Sequence, residues 1–224
     1  MSIPDYPTAT NEAYRLLKKM LVQYGHFKIK TDVLFILDQI PDVVFLSYTD
    51  ACDKYNCERS SFTASSNYGF TINEMSSTGR GRYIVLFNDW KDDTTIRFTL
   101  AHEIGHIVLG HTEDNEVAKK EANCFARNLL CPIPVRNVLE LRTISDLCTT
   151  FDVSEPMAKA SLQCESSDSY HIDKILYQDL YDIFDAITGD QGIISNNTIP
   201  FTHAKVFSSF FGGYSIIQRV HMDV

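Results

Sequence analysis

The sequence predicts an α+β fold in the order helices, small sheet, helices. Three observations carry this. Apolar residues recur at helical spacing over 11–24, 92–109, 115–130 and 170–187. The segments Tyr68–Met75 and Arg82–Phe87 flank the turn-forming run SSTGRG, and the second of them, RYIVLF, is rich in β-branched and aromatic residues. A third run with strand character is Val43–Tyr48.

Taken in order, the first helix spans Asn11 to Tyr24, with Ala13, Leu17, Met20, Leu21 and Tyr24 on one side and Gly25 as its stop. A short helix over Asp32–Gln39 ends at Pro41. Residues 49–68 read as polar and irregular, with room for a helical turn. The two strands around SSTGRG read as a hairpin. Asp92, Asp93 and Thr94 offer a cap for a helix that runs to Leu109 and stops at Gly110. Another helix covers Asn115–Leu130, ended by Pro132 and Pro134. Two short helices are expected near 135–150 and 154–164, then a linker over 163–169, then an amphipathic helix from Tyr170 to Ile187. The Gly-, Ser- and aromatic-rich stretch from 188 onward yields no assignment. Its Phe207, Phe210, Phe211 and Tyr214 suit core packing or a partner surface.

Composition narrows the function classes. The chain has 224 residues, 44% of them hydrophobic, as in ordinary globular proteins. A net charge of −9 argues against broad attraction to nucleic acid or anionic membranes. The start, MSIPDYPTAT, is neither basic nor apolar, so it does not read as a secretory signal. No stretch approaches the roughly 20 apolar residues of a membrane span. A cytoplasmic location is expected. None of the six cysteines forms a CxxC pair. They read as free thiols, with Cys124, Cys131 and Cys148 as small core side chains.

The chemistry centres on His102-Glu103-Ile104-Gly105-His106. Residues four apart lie one turn apart on the same helix face, so His102 and His106 can bind one ion. Zinc accepts imidazole nitrogen, and a catalytic zinc takes three protein ligands plus water. Glu103 is placed to work on that water as base. A five-residue motif can arise by chance on a surface helix. Here Phe98, Leu100, Ala101, Ile104, Ile107 and Val108 make the helix apolar around most of its circumference, hence buried, and buried polar groups need partners.

A third ligand should come from another element. Leu109 and Thr112 exclude the HExxHxxGxxH pattern. His111 lies about 140° around the helix from His106 at 100° per residue, which makes it a poor ligand and a helix-terminal or cleft-rim residue. On the next helix Glu121 sits at the edge of the apolar face formed by Ala118, Ala122, Phe125 and Leu129, whereas Glu116 is nearly opposite and should be solvated. Glu121 is chosen as third ligand. The plainer alternative is an edge salt bridge on a helix that also carries Lys119 and Lys120.

With these residues in view, TLAHEIGHIVLGH followed by EANCFARNLLCP resembles the ImmA/IrrE metallopeptidases, a branch of the gluzincin-like HExxH enzymes. The resemblance covers about residues 10–165. It implies a zincin-like core with a three-stranded sheet whose edge lines the substrate cleft. It also implies one zinc ion on His102, His106 and Glu121, with Glu103 as catalytic base. Members of this family typically cut a repressor of the helix-turn-helix type in phages, mobile elements and stress responses. The chain departs from some relatives in carrying no fused N-terminal DNA-binding domain, and residues 166–224 match nothing recognised.

The segment DLCTTFDVSEPMAKASL (146–162) also looks like a helix-turn-helix, a unit such relatives show. A packed helical pair is the favoured reading, since Lys159 is the only basic residue between 152 and 164 and DNA recognition needs donors. Arg80 and Arg82 are weak candidates for substrate contact. The strand Tyr83–Phe87 is the better one, as a sheet edge for an extended peptide. His26, His171, His203 and His221 lack ligand spacing.

The expected organisation is therefore a zincin-like metallopeptidase domain over 1–165, including a helix-turn-helix-like unit at about 135–165, and a C-terminal helical extension over 166–224. The expected function is a zinc-dependent, site-specific metallopeptidase that cleaves a protein partner, a helix-turn-helix repressor. The alternative is a non-proteolytic zinc-containing anti-repressor that acts by binding. A DNA-binding regulator using 146–162 ranks third.

Overall fold

The computed structural model describes residues 3–25, 28–75, 81–113 and 115–189. The roles weighed for His26, Arg80, His203, His221 and the aromatic stretch around Phe207–Tyr214 lie outside the described residues.

Local signals set the helix starts. Helix α1 (Tyr6–Tyr24) begins five residues before the sequence reading, because the Asp5 carboxylate accepts from the Thr8 amide and Pro7 suits a first turn. Asp32 caps α2 (Val33–Gln39) through the Phe35 amide. Strand β1 (Val43–Ser47) runs directly into α3 (Tyr48–Tyr55), which with α4 (Ser60–Thr63) fills the stretch read as irregular. The Ser47 hydroxyl supplies the cap for α3 by accepting from the Asp50 amide.

Strands β2 (Gly69–Met75) and β3 (Gly81–Phe87) pair antiparallel, with Ile72 opposite Ile84, as the turn chemistry between them requires. Strand β1 pairs parallel with β3, Phe45 opposite Val85. The order β1-β3-β2 puts β3 in the centre. This corrects the substrate-edge assignment: Tyr83–Phe87 is paired on both sides, and the open edge beside it belongs to β2.

Helix α5 (Asp93–Val108) lies across the sheet and packs on α6 (Glu116–Leu130). The two helices approach closely at Gly105, where an added Cβ would stand 3.2 Å from Ala122 Cα and 3.1 Å from Phe125 Cδ1. Helices α7 (Ile133–Val138), α8 (Ile144–Phe151) and α9 (Glu155–Gln163) follow. The expected linker at 163–169 is instead α10 (Glu165–His171), and α11 (Lys174–Gly189) packs on α7 and α1. The cause is a buried ion pair that spacing cannot reveal. Asp168 accepts from Arg127 Nε and Nη2, both at 2.8 Å, and from Asn128 Nδ2 at 3.1 Å. Among the described residues the larger apolar cluster runs from Ala9 in α1 through Ile104 and Phe125 to Leu180 in α11, and a smaller one joins Tyr48 and Ala51 of α3 to Leu86 of β3. The architecture is mixed α+β with a three-stranded sheet. Among the described residues no helix is long and apolar enough to cross a membrane.

Candidate metal centre and cleft

Asp92 starts α5 by accepting from the Thr95 amide at 2.9 Å, and its carboxyl is held well below the usual range by the Thr94 and Thr95 hydroxyls. From that start the helical repeat brings His102 and His106 to the same face, with their Nε2 atoms 3.0 Å apart. A tetrahedral ion at ordinary zinc–nitrogen length holds two such nitrogens about 3.3 Å apart. The pair therefore fits two positions of one ion. Glu103, one residue on, is 7% exposed and accepts from the Thr71 hydroxyl of β2 at 2.7 Å.

These side chains open onto a cleft of about 1270 Å³. Strand β2 forms one wall, through Gly69 to Asn73. Lys119, Asn123 and Arg127 of α6 form another, and Pro156, Met157 and Ala160 of α9 a third. The helix-turn-helix-like unit thus turns the start of its second helix toward the cleft. Glu116 is exposed, as its place on α6 requires.

Glu121, the third ligand chosen from sequence, has protein partners on both of its oxygens. Glu121 does not line the cleft. One of its oxygens accepts from the Asp5 amide at 2.6 Å, and the other lies 2.8 Å from His111 Nε2. The stripe of α6 that faces the cleft is 119, 123 and 127. Glu121, two residues from Lys119 and from Asn123, is about 200° around the helix from each. Among the described residues no group of three His, Cys, Asp or Glu side chains is assembled to hold a metal.

His111 stands at the end of α5 and lines the cleft, as its reading as a helix-terminal or cleft-rim residue expects, but by another geometry. The projection of about 140° assumed that α5 continues past Val108. It does not. Gly110 adopts φ +68°, its amide donates to the Ile107 carbonyl, and the His111 amide donates to the His106 carbonyl at 3.0 Å. This is the Schellman ending, and it folds His111 back over the last turn. His111 Nδ1 then lies 2.9 Å from His106 Nδ1. Gly110 was itself the signal that could have found this.

Residues 56–162 match the family model of the IrrE N-terminal-like domain, a metallopeptidase family of the ImmA/IrrE type. This segment resembles an IrrE N-terminal-like domain. The match takes in a little under half of the chain. Within it fall His102, Glu103, His106, His111 and Glu121, helices α5 and α6 and the β2–β3 pair. The match leaves β1, α1 and α11 outside its limits, although they pack in the same core. A search of curated proteins and a search of solved structures each return no match.

Proposed function

We propose that this chain is a zinc metalloendopeptidase with a zincin-like core, cleaving a protein partner that is a helix-turn-helix transcriptional repressor. The observation that carries the reading is the juxtaposition of the His102–His106 nitrogen pair with the buried Glu103 carboxylate, open to a cleft inside a peptidase-family domain. The nature of the repressor rests on the family resemblance alone.

In this reading His102 and His106 hold one zinc ion through Nε2. Bound zinc supplies Lewis acidity and lowers the pKa of its water toward neutrality. Glu103 would be the base for such a water, and the Thr71 hydroxyl donates to its Oε2. The open edge of β2 aligns an extended peptide by main-chain hydrogen bonds. Pro156, Met157 and Ala160 of α9 restrict what fits opposite. Glu121 enters only as the third ligand that the family resemblance implies; one of its oxygens accepts from the Asp5 amide and the other lies 2.8 Å from His111, which lines the cleft.

That same observation favours the second reading, a zinc-containing anti-repressor that binds without cutting. Glu103→Gln separates the two. The peptidase reading expects repressor cleavage and derepression to be lost while zinc content and partner binding survive. Derepression that survives in this variant sinks it.

A further inference from the structure

We infer that Cys52 and Cys57 form a reversible dithiol pair that closes to a disulfide on meeting a small-molecule disulfide. The inference goes beyond the peptidase reading and stands whether or not the chain holds a metal or cuts a partner. Its basis is the way α3 ends. Asn56 adopts φ 49°, in the left-handed region, and its amide donates to the Cys52 carbonyl. The Cys57 amide donates to the same carbonyl at 3.2 Å. A helix that closes through a left-handed residue in this way folds the second residue past its end back onto the last turn, where an apolar contact commonly forms. In α3 both members of that contact are cysteines.

The backbone fits the bond. At ordinary bond lengths the 3.2 Å amide contact holds the two α-carbons no more than about 7 Å apart. A disulfide spans about 4.4–6.8 Å between α-carbons. The side chains meet as well, since Cys57 is the hydrogen-bond partner of the Cys52 sulfur. Both thiols are free and partly exposed, and Asp53 to Asn56 between them are exposed, so an oxidant can reach either sulfur. The other four cysteines lack this combination. Cys148 has Cys131 as a charge neighbour and Cys164 has Cys124, but Cys131 and Cys124 are buried.

The exchange balances with a disulfide as the sole co-reactant. One cysteine thiol loses its proton to solvent, and its sulfur attacks a sulfur of oxidised glutathione, releasing one glutathione thiolate. The second cysteine then loses its proton, attacks the protein-side sulfur of the mixed disulfide and breaks the bond to the second glutathione. Two protein thiols are oxidised to one S–S bond. The S–S bond of the oxidant is reduced to two thiols, which take up the two protons.

The test uses the full chain, reduced, freed of reductant and incubated anaerobically with oxidised glutathione at mildly alkaline pH. Trypsin cuts after Lys54 and Arg59, so mass spectrometry should find peptide 31–54 joined to peptide 55–59, with loss of the two separate peptides. Dithiothreitol should part them again. Cys52→Ser and Cys57→Ser should each keep one glutathione on the remaining member of the pair, where wild type keeps none. The wild-type arm needs no variant to fold. The inference is overturned if wild type holds glutathione on Cys52 or Cys57 without the link between the two peptides. It is overturned equally if neither cysteine reacts, or if either pairs with Cys148 or Cys164 instead. No readout involves zinc or a substrate, so the outcome is separate from that of the peptidase reading.

Discussion

At residue scale, Glu103 accepts a hydrogen bond from a hydroxyl across the cleft, that of Thr71. Thr71→Val keeps the shape of the side chain and removes the donor to Oε2. A buried carboxylate that loses a hydrogen bond costs about 1–3 kcal/mol, so urea unfolding of this variant should show a loss of that order. An unchanged midpoint would mean that Thr71 does not hold Glu103. The cysteines give a second residue-level expectation. Burial pushes the Cys131 thiol up to about 12 and raises that of Cys124, and both side chains are inaccessible. A brief iodoacetamide pulse followed by mass spectrometry should leave these two unmodified while Cys57, which is partly exposed, reacts. Labelling of Cys131 ahead of Cys57 contradicts this placement.

At the scale of elements, the α5–α6 pair depends on a missing side chain. Gly105→Ala places a methyl against Ala122 and Phe125 at distances the helices must widen to accept. Overpacking of this kind costs about 1–3 kcal/mol, measurable as a lower melting temperature. Gly110→Ala meets no clash, but its φ of +68° is unfavourable for any residue with a Cβ. The expected cost is about 1 kcal/mol, together with displacement of His111. The start of α5 is sensitive to acid. The Asp92 carboxyl is depressed in the folded chain, so its contribution is complete above the unfolded carboxyl value near pH 3.9. It is lost as pH falls below that value toward the folded one. Asp92→Asn should flatten the acid limb of a stability–pH profile, and an unchanged limb would remove Asp92 from the account.

These elements also show which signals a sequence carries. Helix α5 was legible because Asp92 and Gly110 punctuate it and the histidine spacing states its period. The β2–β3 pair was legible from its turn. Which strand would be central was not, since a parallel partner at Val43–Ser47 leaves no local mark. Helix α10 was hidden for a related reason. Its composition reads as linker, and its order depends on Arg127, 41 residues earlier in the chain. The approach of Glu121 to the Asp5 amide spans 116 residues and is equally invisible to local pattern.

For the whole molecule, the core does not stop where the peptidase motifs stop. Ile172, Leu176, Leu180, Ile183 and Phe184 join the same apolar cluster as Leu100 and Ile104. Lys18 of α1 pairs with Asp179 of α11 at 2.5 Å. Asp168, 3% exposed, neutralises Arg127 and receives Asn128, which in turn accepts from the Tyr14 hydroxyl at 2.8 Å. Asp168→Ala leaves that guanidinium without its partner and should cost about 3–5 kcal/mol in equilibrium unfolding. A chain ended after residue 165 should melt far below the full chain. If it folds with equal stability, α10 and α11 are an appendage after all.

The bond from the Asp5 amide to Glu121 has a practical side. Only a few residues of chain separate a sequence fused ahead of Met1 from that amide, and Ile3 between them is 87% exposed. A purification tag placed there is tethered beside the very contact that anchors His111. Polyhistidine would add competing imidazoles at the same spot. Tag-free protein is therefore the proper starting material for any metal titration, and a tagged sample run beside it measures whether a fused segment disturbs the Asp5–Glu121 contact.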